Sequence, residues 1–325
     1  GQVNINESFF VGREHQVRTG VEVVTGDRPG TRSVLVRGSR SSGKTTLCQQ
    51  IASASKAEVF WVAPPPGGAA SRTALAAALE SSLGRRGRPS AIVGRLPERS
   101  LIVFDDLDLW WERRRDGLEA IDGILELIAE HGDRVGFLLG GSEAPLRVLQ
   151  GLRPLTRLVY AQLECEGLPA RALEKVIMAR HGSTGIGLKL AGRDSFGTWT
   201  RARLFDAHFD YAKGNVGYAL RSWVTHLDNF ADDQLTIRMP KLLDWDAIDD
   251  LRPEHIALLI ELVLHKAASA AKLERLTGRS ATAIADGLAD LTAIGLVVQN
   301  RRRIAQLNPY VHVPVLQWLH RKELA

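Results

Sequence analysis

Gly38-Ser39-Arg40-Ser41-Ser42-Gly43-Lys44-Thr45 is the stretch that decides the fold. It follows a short β-branched apolar run, Ser33-Val34-Leu35-Val36-Arg37, and leads into Thr46-Leu47-Cys48-Gln49-Gln50-Ile51-Ala52, which continues as a helix. Strand, G-x-x-x-x-G-K-[ST] and helix in that order make a loop that cradles nucleotide phosphates. Gly38 and Gly43 allow torsions that strain other residues, so N–H groups from Ser41, Ser42 and Gly43 through to Thr45 and Thr46 turn inward at a helix N-terminus. Lys44 places a point charge between β- and γ-phosphates, and the Thr45 hydroxyl is a Mg²⁺ ligand. ATP with Mg²⁺ is the expected cofactor pair.

Such a loop needs an acid on a neighbouring strand. Ser100-Leu101-Ile102-Val103-Phe104-Asp105-Asp106 supplies four apolar residues ending in two carboxylates, a Walker B segment. Asp105, at the strand's end, is expected to hold Mg²⁺ through water. Asp106 stands where active hydrolases of this type usually carry Glu to polarise the attacking water. Aspartate is one methylene shorter, so slow turnover is expected.

Further apolar runs at 58–63, 134–140 and 157–163 read as strands. Between them, 71–83 is alanine-rich and helical, and Leu118, Ile121, Ile124, Leu125 and Ile128 form a core stripe at helical spacing. Five strands alternating with helices predict an α/β fold: a P-loop αβα sandwich around a parallel five-stranded sheet, with its ligand at the carboxyl ends of the strands.

Phe9-Phe10-Val11-Gly12-Arg13-Glu14 resembles the box that opens many AAA+ and STAND ATPases, where it packs beside the adenine. The resemblance implies nucleotide contacts for Val11, Gly12 and Arg13. It also implies a sensor-1 role for Ser142 at the end of Gly136-Phe137-Leu138-Leu139-Gly140-Gly141, and an arginine finger at Arg157 that reaches a neighbouring subunit's ATP, with Arg147 and Arg153 as alternatives. An arginine there stabilises charge on the transferred phosphoryl. Residues 172–181 resemble the first helix of a lid. Ala212-Lys213-Gly214-Asn215-Val216-Gly217-Tyr218-Ala219-Leu220-Arg221 resembles the sensor-2 or STAND segment on a second lid helix. Here the sequence departs from both patterns: Gly217 stands in place of the sensor arginine, and Val216 in place of the STAND proline. Arg221, one turn later, either reaches the phosphates or stays in solvent.

Segments 254–266, 269–276 and 280–294 read as three helices, the last capped by Ser280 and stopped at Gly295. Two strands, 296–299 and 304–307, follow, joined by Asn300-Arg301-Arg302-Arg303. Three helices and a hairpin form a winged helix, similar to the C-terminal domain of origin-recognition and STAND relatives, which bind DNA or protein. The wing arginines Arg301, Arg302 and Arg303 suit phosphate or minor-groove contact. The presumed reading helix turns Thr282, Ala285, Asp286, Ala289 and Asp290 outward, with no Lys or Arg, which argues against sequence-specific readout. Trp110-Trp111-Glu112-Arg113-Arg114-Arg115 offers either a nucleic-acid stacking loop, a partner dock, or a covered helix with solvated arginines.

The division expected is a core over 1–166, a helical lid over 167–250 and a winged helix over 251–325. Length agrees, since 325 residues suggest two or three domains. The net charge of +5 is concentrated at the C-terminal end: from Leu251 onward ten basic residues face six acidic ones, leaving +1 for the first 250. No apolar stretch reaches the ~18 residues of a membrane span, and the chain reads as soluble and cytoplasmic. Cys48 and Cys165 are too few for a disulfide framework and are expected to be reduced and structural. The implied function is an ATP-driven switch or assembly platform that binds ATP or ADP and forms a homo-oligomer or engages a protein. The alternatives are an ATP-licensed DNA-binding initiator or transposition-type factor, and a signalling scaffold with a nearly inactive ATP site.

Overall fold

A central sheet of five parallel strands organises the chain, whose computed structural model describes residues 9–26, 30–192, 197–240 and 246–323. The first eight residues of the expected core, and 241–245 near the expected lid boundary, lie outside the described residues. In chain order the core runs α1 (Glu14–Val24), β1 (Ser33–Gly38), α2 (Lys44–Ala54), β2 (Glu58–Trp61), α3 (Arg72–Leu83), α4 (Pro89–Gly94) and β3 (Ser100–Phe104). It continues with α5 (Glu119–His131), β4 (Gly136–Ser142), α6 (Glu143–Leu152), α7 (Leu155–Leu158) and β5 (Ala161–Glu164). The strand order is β2-β3-β4-β1-β5. β1 therefore sits between β4 and β5, with Gly38 opposite Ser142 and Arg37 opposite Glu164. β1, β3 and β4 are buried almost throughout because helices cover both faces. The loop after β1, the acids after β3 and Ser142 all emerge at one edge of this sheet.

Two expectations change here. The run at 157–163 does not begin as a strand: Arg157 lies in the short helix α7, and pairing starts at Ala161. The adjacent tryptophans form no stacking loop. Trp110 and Trp111 are both fully buried, packed into the core below the sheet. Two large apolar rings next to Walker B satisfy the hydrophobic effect by facing inward, and only the arginines beyond them stay outside.

Beyond the sheet lie α8 (Ala170–Gly182), β6 (Gly187–Leu190), α9 (Thr198–Ala212), α10 (Val216–Thr225), β7 (Leu227–Ala231) and β8 (Gln234–Ile237). The lid is thus not purely helical. β6 pairs parallel with β8, and β7 pairs antiparallel with it. The 212–221 segment does not lie on one helix either. α9 ends at Ala212, Lys213 and Gly214 take left-handed backbone, and Asn215 caps α10 by accepting the Tyr218 N–H at 3.2 Å.

The C-terminal part contains α11 (Asp246–Asp249), α12 (Pro253–Leu264), α13 (Ala270–Thr277), α14 (Ala281–Ala293), β9 (Val297–Gln299), β10 (Ala305–Leu307) and α15 (His312–Arg321). Ser269 and Ser280 cap α13 and α14 as side-chain acceptors. β9 and β10 pair antiparallel, and Ala268 bridges to Ala305 on the other side. Three helices and a hairpin therefore occur at the expected positions. α15 was not foreseen; Val315, Trp318 and Leu319 on it complete this core. Cys48 and Cys165 are buried and free. Among the described residues no helix is long and apolar enough to cross a membrane.

Candidate functional site

The loop that opened the sequence reading follows β1 and closes at α2. Gly43 takes φ of 100°, a left-handed backbone that only glycine adopts without strain, and an Arg13 guanidinium nitrogen lies 2.7 Å from where a Cβ would project. Gly38 is needed for space instead of torsion, because a Cβ there would meet the Cys165 carbonyl oxygen at 2.7 Å. Lys44 Nζ donates to the carbonyls of Gly38 at 3.1 Å and Ser39 at 2.9 Å, so the ammonium is folded over the loop. Ser42 is buried within the turn, Ser41 takes an unexpected positive φ of 63°, and Thr46 is half-buried on the first turn of α2.

The two residues expected to hold the metal meet. Thr45 Oγ1 donates to Asp105 Oδ2 at 2.6 Å across β1 and β3. Burial, and next the charge of Asp106, raise the Asp105 carboxyl above the usual carboxylate range, while the Thr45 hydroxyl opposes that rise. A hydroxyl and a poorly solvated carboxylate held together at a phosphate loop fit Mg²⁺, which takes few protein ligands and completes its shell from phosphate and water.

Ser142 ends β4 beside the loop, and its N–H donates to Asp108 Oδ1 at 2.9 Å. Asp108 is only 2% exposed and was missed in the sequence, although a third acid in Asp105-Asp106-Leu107-Asp108 was available as a signal. Arg13 is buried and donates to the Glu166 carbonyl at 2.7 Å, Gly12 donates its N–H to Glu14, and Val11 packs toward the lid cluster. These three residues sit where the loop, β5 and the lid converge.

The segment expected to form the lid reaches the loop through the N-terminus of α10. The Gly217 N–H donates to the Ser41 carbonyl at 3.0 Å, and Asn215 Nδ2 donates to Ser39 Oγ and to the Arg40 carbonyl, both at 2.9 Å. Arg221 donates to Ser41 Oγ at 3.1 Å and so stands at the loop. Gly217 is what permits this approach: a Cβ there would stand 2.5 Å from Ser41 Cβ.

The C-terminal part also touches the site, which no local pattern announced. Arg40 donates to the Lys266 carbonyl at 3.4 Å and to Gln306 Oε1 at 3.3 Å. Lys266 Nζ pairs with Asp106 Oδ2. A cavity of about 750 Å³ opens on this side, with Ser39, Arg40, Ser142, Arg147, Lys266 and His312 in its wall. His312 is hydrogen-bonded to the Tyr218 hydroxyl of the lid. Burial, then the charges of Arg40 and Arg221, hold His312 well below the ordinary imidazole range and therefore neutral.

The other predicted residues stand apart from this centre. Arg157 is exposed on α7, Arg153 is engaged with Asp122 at 2.5 Å, and Arg301, Arg302 and Arg303 are exposed on the β9–β10 hairpin. Asp290 on α14, read as facing outward, is exposed but pairs with Arg252 at 2.6 Å.

No protein-family model matches the chain, and no curated protein matches it in sequence. Among solved structures it is similar to the Aeropyrum pernix ORC2 protein, described as ADPNP–ADP complexes, at 15% identity and a TM-score of 0.52, covering 99% of this chain and 97% of that one. The Thermotoga maritima RuvB Holliday junction branch migration motor matches at 16% identity and a TM-score of 0.46, covering 94% and 95%. Cdc6p from Pyrobaculum aerophilum matches at 15% identity and a TM-score of 0.44, covering 98% of each chain. At these identities the likeness is one of fold alone: the chain shares the fold of the Aeropyrum protein along nearly its whole length.

Proposed function

We propose that the chain is an ATP-binding switch or assembly platform that hydrolyses ATP slowly, with nucleotide fixing the relative orientation of a core (1–166), a lid (167–250) and a winged helix (251–325). The observation that carries this reading is the 2.6 Å hydrogen bond from Thr45 to Asp105 beside the folded-over Lys44, which joins the two motifs in one site. Thr45 and Asp105 would hold Mg²⁺, which when bound neutralises phosphate charge. Lys44 leaves the Gly38 and Ser39 carbonyls to meet the β- and γ-phosphates, and the loop N–H groups replace the water around them. Asp106 accepts the proton of the attacking water, and Ser142 hydrogen-bonds near the same water. Val11, Gly12 and Arg13 border the base, and Arg221 adds a lid cation to the phosphate side. Arg157, exposed on α7, suits a finger offered to a second copy of the chain.

Calorimetry tests the site. Lys44→Ala is expected to abolish ATP binding, and unchanged affinity would refute the assignment. Asp106→Asn should keep binding and stop phosphate release.

A second reading, ATP-licensed DNA binding, draws on the three exposed wing arginines. It predicts an ATP-dependent, salt-sensitive affinity for duplex DNA that falls when Arg301, Arg302 and Arg303 are neutralised. A signalling scaffold would instead retain nucleotide through purification with almost no turnover. Measuring molecular size with ATP, with ADP and with duplex DNA separates the three.

A further inference from the structure

Lys266 and Asp106 come from parts of the chain 160 positions apart, and each reaches the other from a left-handed backbone, with φ of 58° at both. Such torsions are unfavourable for residues with a side chain and persist only where the surroundings hold them. The surroundings here are well defined. His265, next to Lys266, is fully buried and packs on Trp111 with ring centroids 4.6 Å apart. Arg113 pairs with the buried Glu261 of α12, and Arg275 of α13 donates to the buried Glu112 at 2.8 Å. Lys272 Nζ donates to the Gly67 carbonyl at 3.2 Å, and Leu264 joins the same apolar cluster as both tryptophans. The Lys266 carbonyl is itself held by Arg40 of the phosphate loop. This ammonium is therefore presented to the site by a fixed part of the fold, not by a loose surface chain.

We infer that Lys266 is a brake built into the C-terminal part: by pairing with Asp106 it occupies the carboxylate that must accept a proton from the attacking water. This rests on the proposed hydrolytic reading of the site. A carboxylate oxygen engaged by an ammonium is withdrawn from the water it should orient. The ion pair of Lys266 is with Asp106, and only its charge bears on Asp105, so the brake acts chiefly on turnover. Release requires α12 and the His265–Lys266 corner to draw back from the core, which couples hydrolysis to whatever the C-terminal part engages.

The test measures ATP affinity by calorimetry and turnover by phosphate release in the full chain, for wild type, Lys266→Met and Lys266→Arg. Lys266→Met keeps the alkyl stem and removes the charge; Lys266→Arg keeps a charge. The brake predicts turnover raised on the order of tenfold in Lys266→Met, a fraction of the hundredfold or more that a positioned general base supplies. It predicts ATP affinity within twofold of wild type, and turnover near wild type in Lys266→Arg. Turnover in Lys266→Met at or below wild type, with ATP still bound, overturns the brake alone and makes Lys266 a structural or catalytic cation. An ATP affinity that Lys44→Ala leaves unchanged overturns the nucleotide reading, and the brake with it. A double-mutant cycle between Lys266→Met and Asp106→Asn in urea, without nucleotide, checks the pair itself, and zero coupling overturns it.

Discussion

Gly217→Ala puts a methyl group at the point where lid and phosphate loop touch. Its Cβ would stand 2.5 Å from Ser41 Cβ and 2.8 Å from the Ser41 carbonyl oxygen, where ordinary contact begins at 3.4 Å, so α10 or the loop must give by about 1 Å. Ser41 already has a φ of 63°, which leaves it little freedom to move away. A retreat of that size breaks the 3.0 Å bond from the Gly217 N–H to Ser41, a loss of about 1 kcal/mol. Overpacking adds about 1–3 kcal/mol, and the better helix propensity of alanine returns about 0.5–1 kcal/mol. The net expectation is a loss of about 1–3 kcal/mol, seen as a lower urea midpoint, together with weaker ATP binding. Gly151→Ala on α6 is the matched control, since nothing lies within 4 Å of its Cβ position, and it should gain by propensity alone. If Gly217→Ala shifts the urea midpoint upward like Gly151→Ala, the lid does not rest on the loop as described.

Two titrations and one substitution set extend this. Lys272 is 2% exposed, and burial lowers its ammonium to about 8 despite Glu112. The unfolded chain then binds the extra proton between pH 8 and 10.5, so stability rises by about 3 kcal/mol across that window, and Lys272→Met should flatten the rise in urea midpoints. His208 is fully buried, hydrogen-bonded to Ser222, and lowered to about 4 by burial and then His226. Unfolding therefore takes up a proton between pH 6.5 and 4, and about 3 kcal/mol is lost as pH falls through that range; His208→Asn should remove the dependence. If the wing engages duplex DNA, replacing Arg301, Arg302 and Arg303 by Ala should reduce the salt slope of log affinity by about 3, one counterion per arginine.

The sheet and phosphate loop were legible because each rests on a local pattern: an apolar run, a glycine pair, and a lysine before a hydroxyl. Ser71, Ser269 and Ser280 cap helices close to where a sequence reader would start them. The three-stranded sheet of the lid was not legible, since β6, β7 and β8 are short and half-exposed and lack a strict alternation. The tryptophan pair was misread in one of its alternatives because arginine neighbours suggest a surface, whereas burial of two indoles decides the matter. Lys266 carried no signal at all. A lysine after a helix is ordinary, and its meaning comes only from a tertiary fold that brings it to Asp106.

The position of that lysine along the chain also sets an order of events during synthesis. The five-stranded sheet is complete at Glu164, and Lys266 is translated 102 residues later. At 5–20 residues per second this is an interval of roughly 5–20 s, and domains fold as units from the N-terminal end. A nascent chain thus holds Asp105, Asp106 and the phosphate loop together before the residue that pairs with Asp106 exists. On the proposed reading, nucleotide present at that moment would meet the site before Lys266 can pair with Asp106.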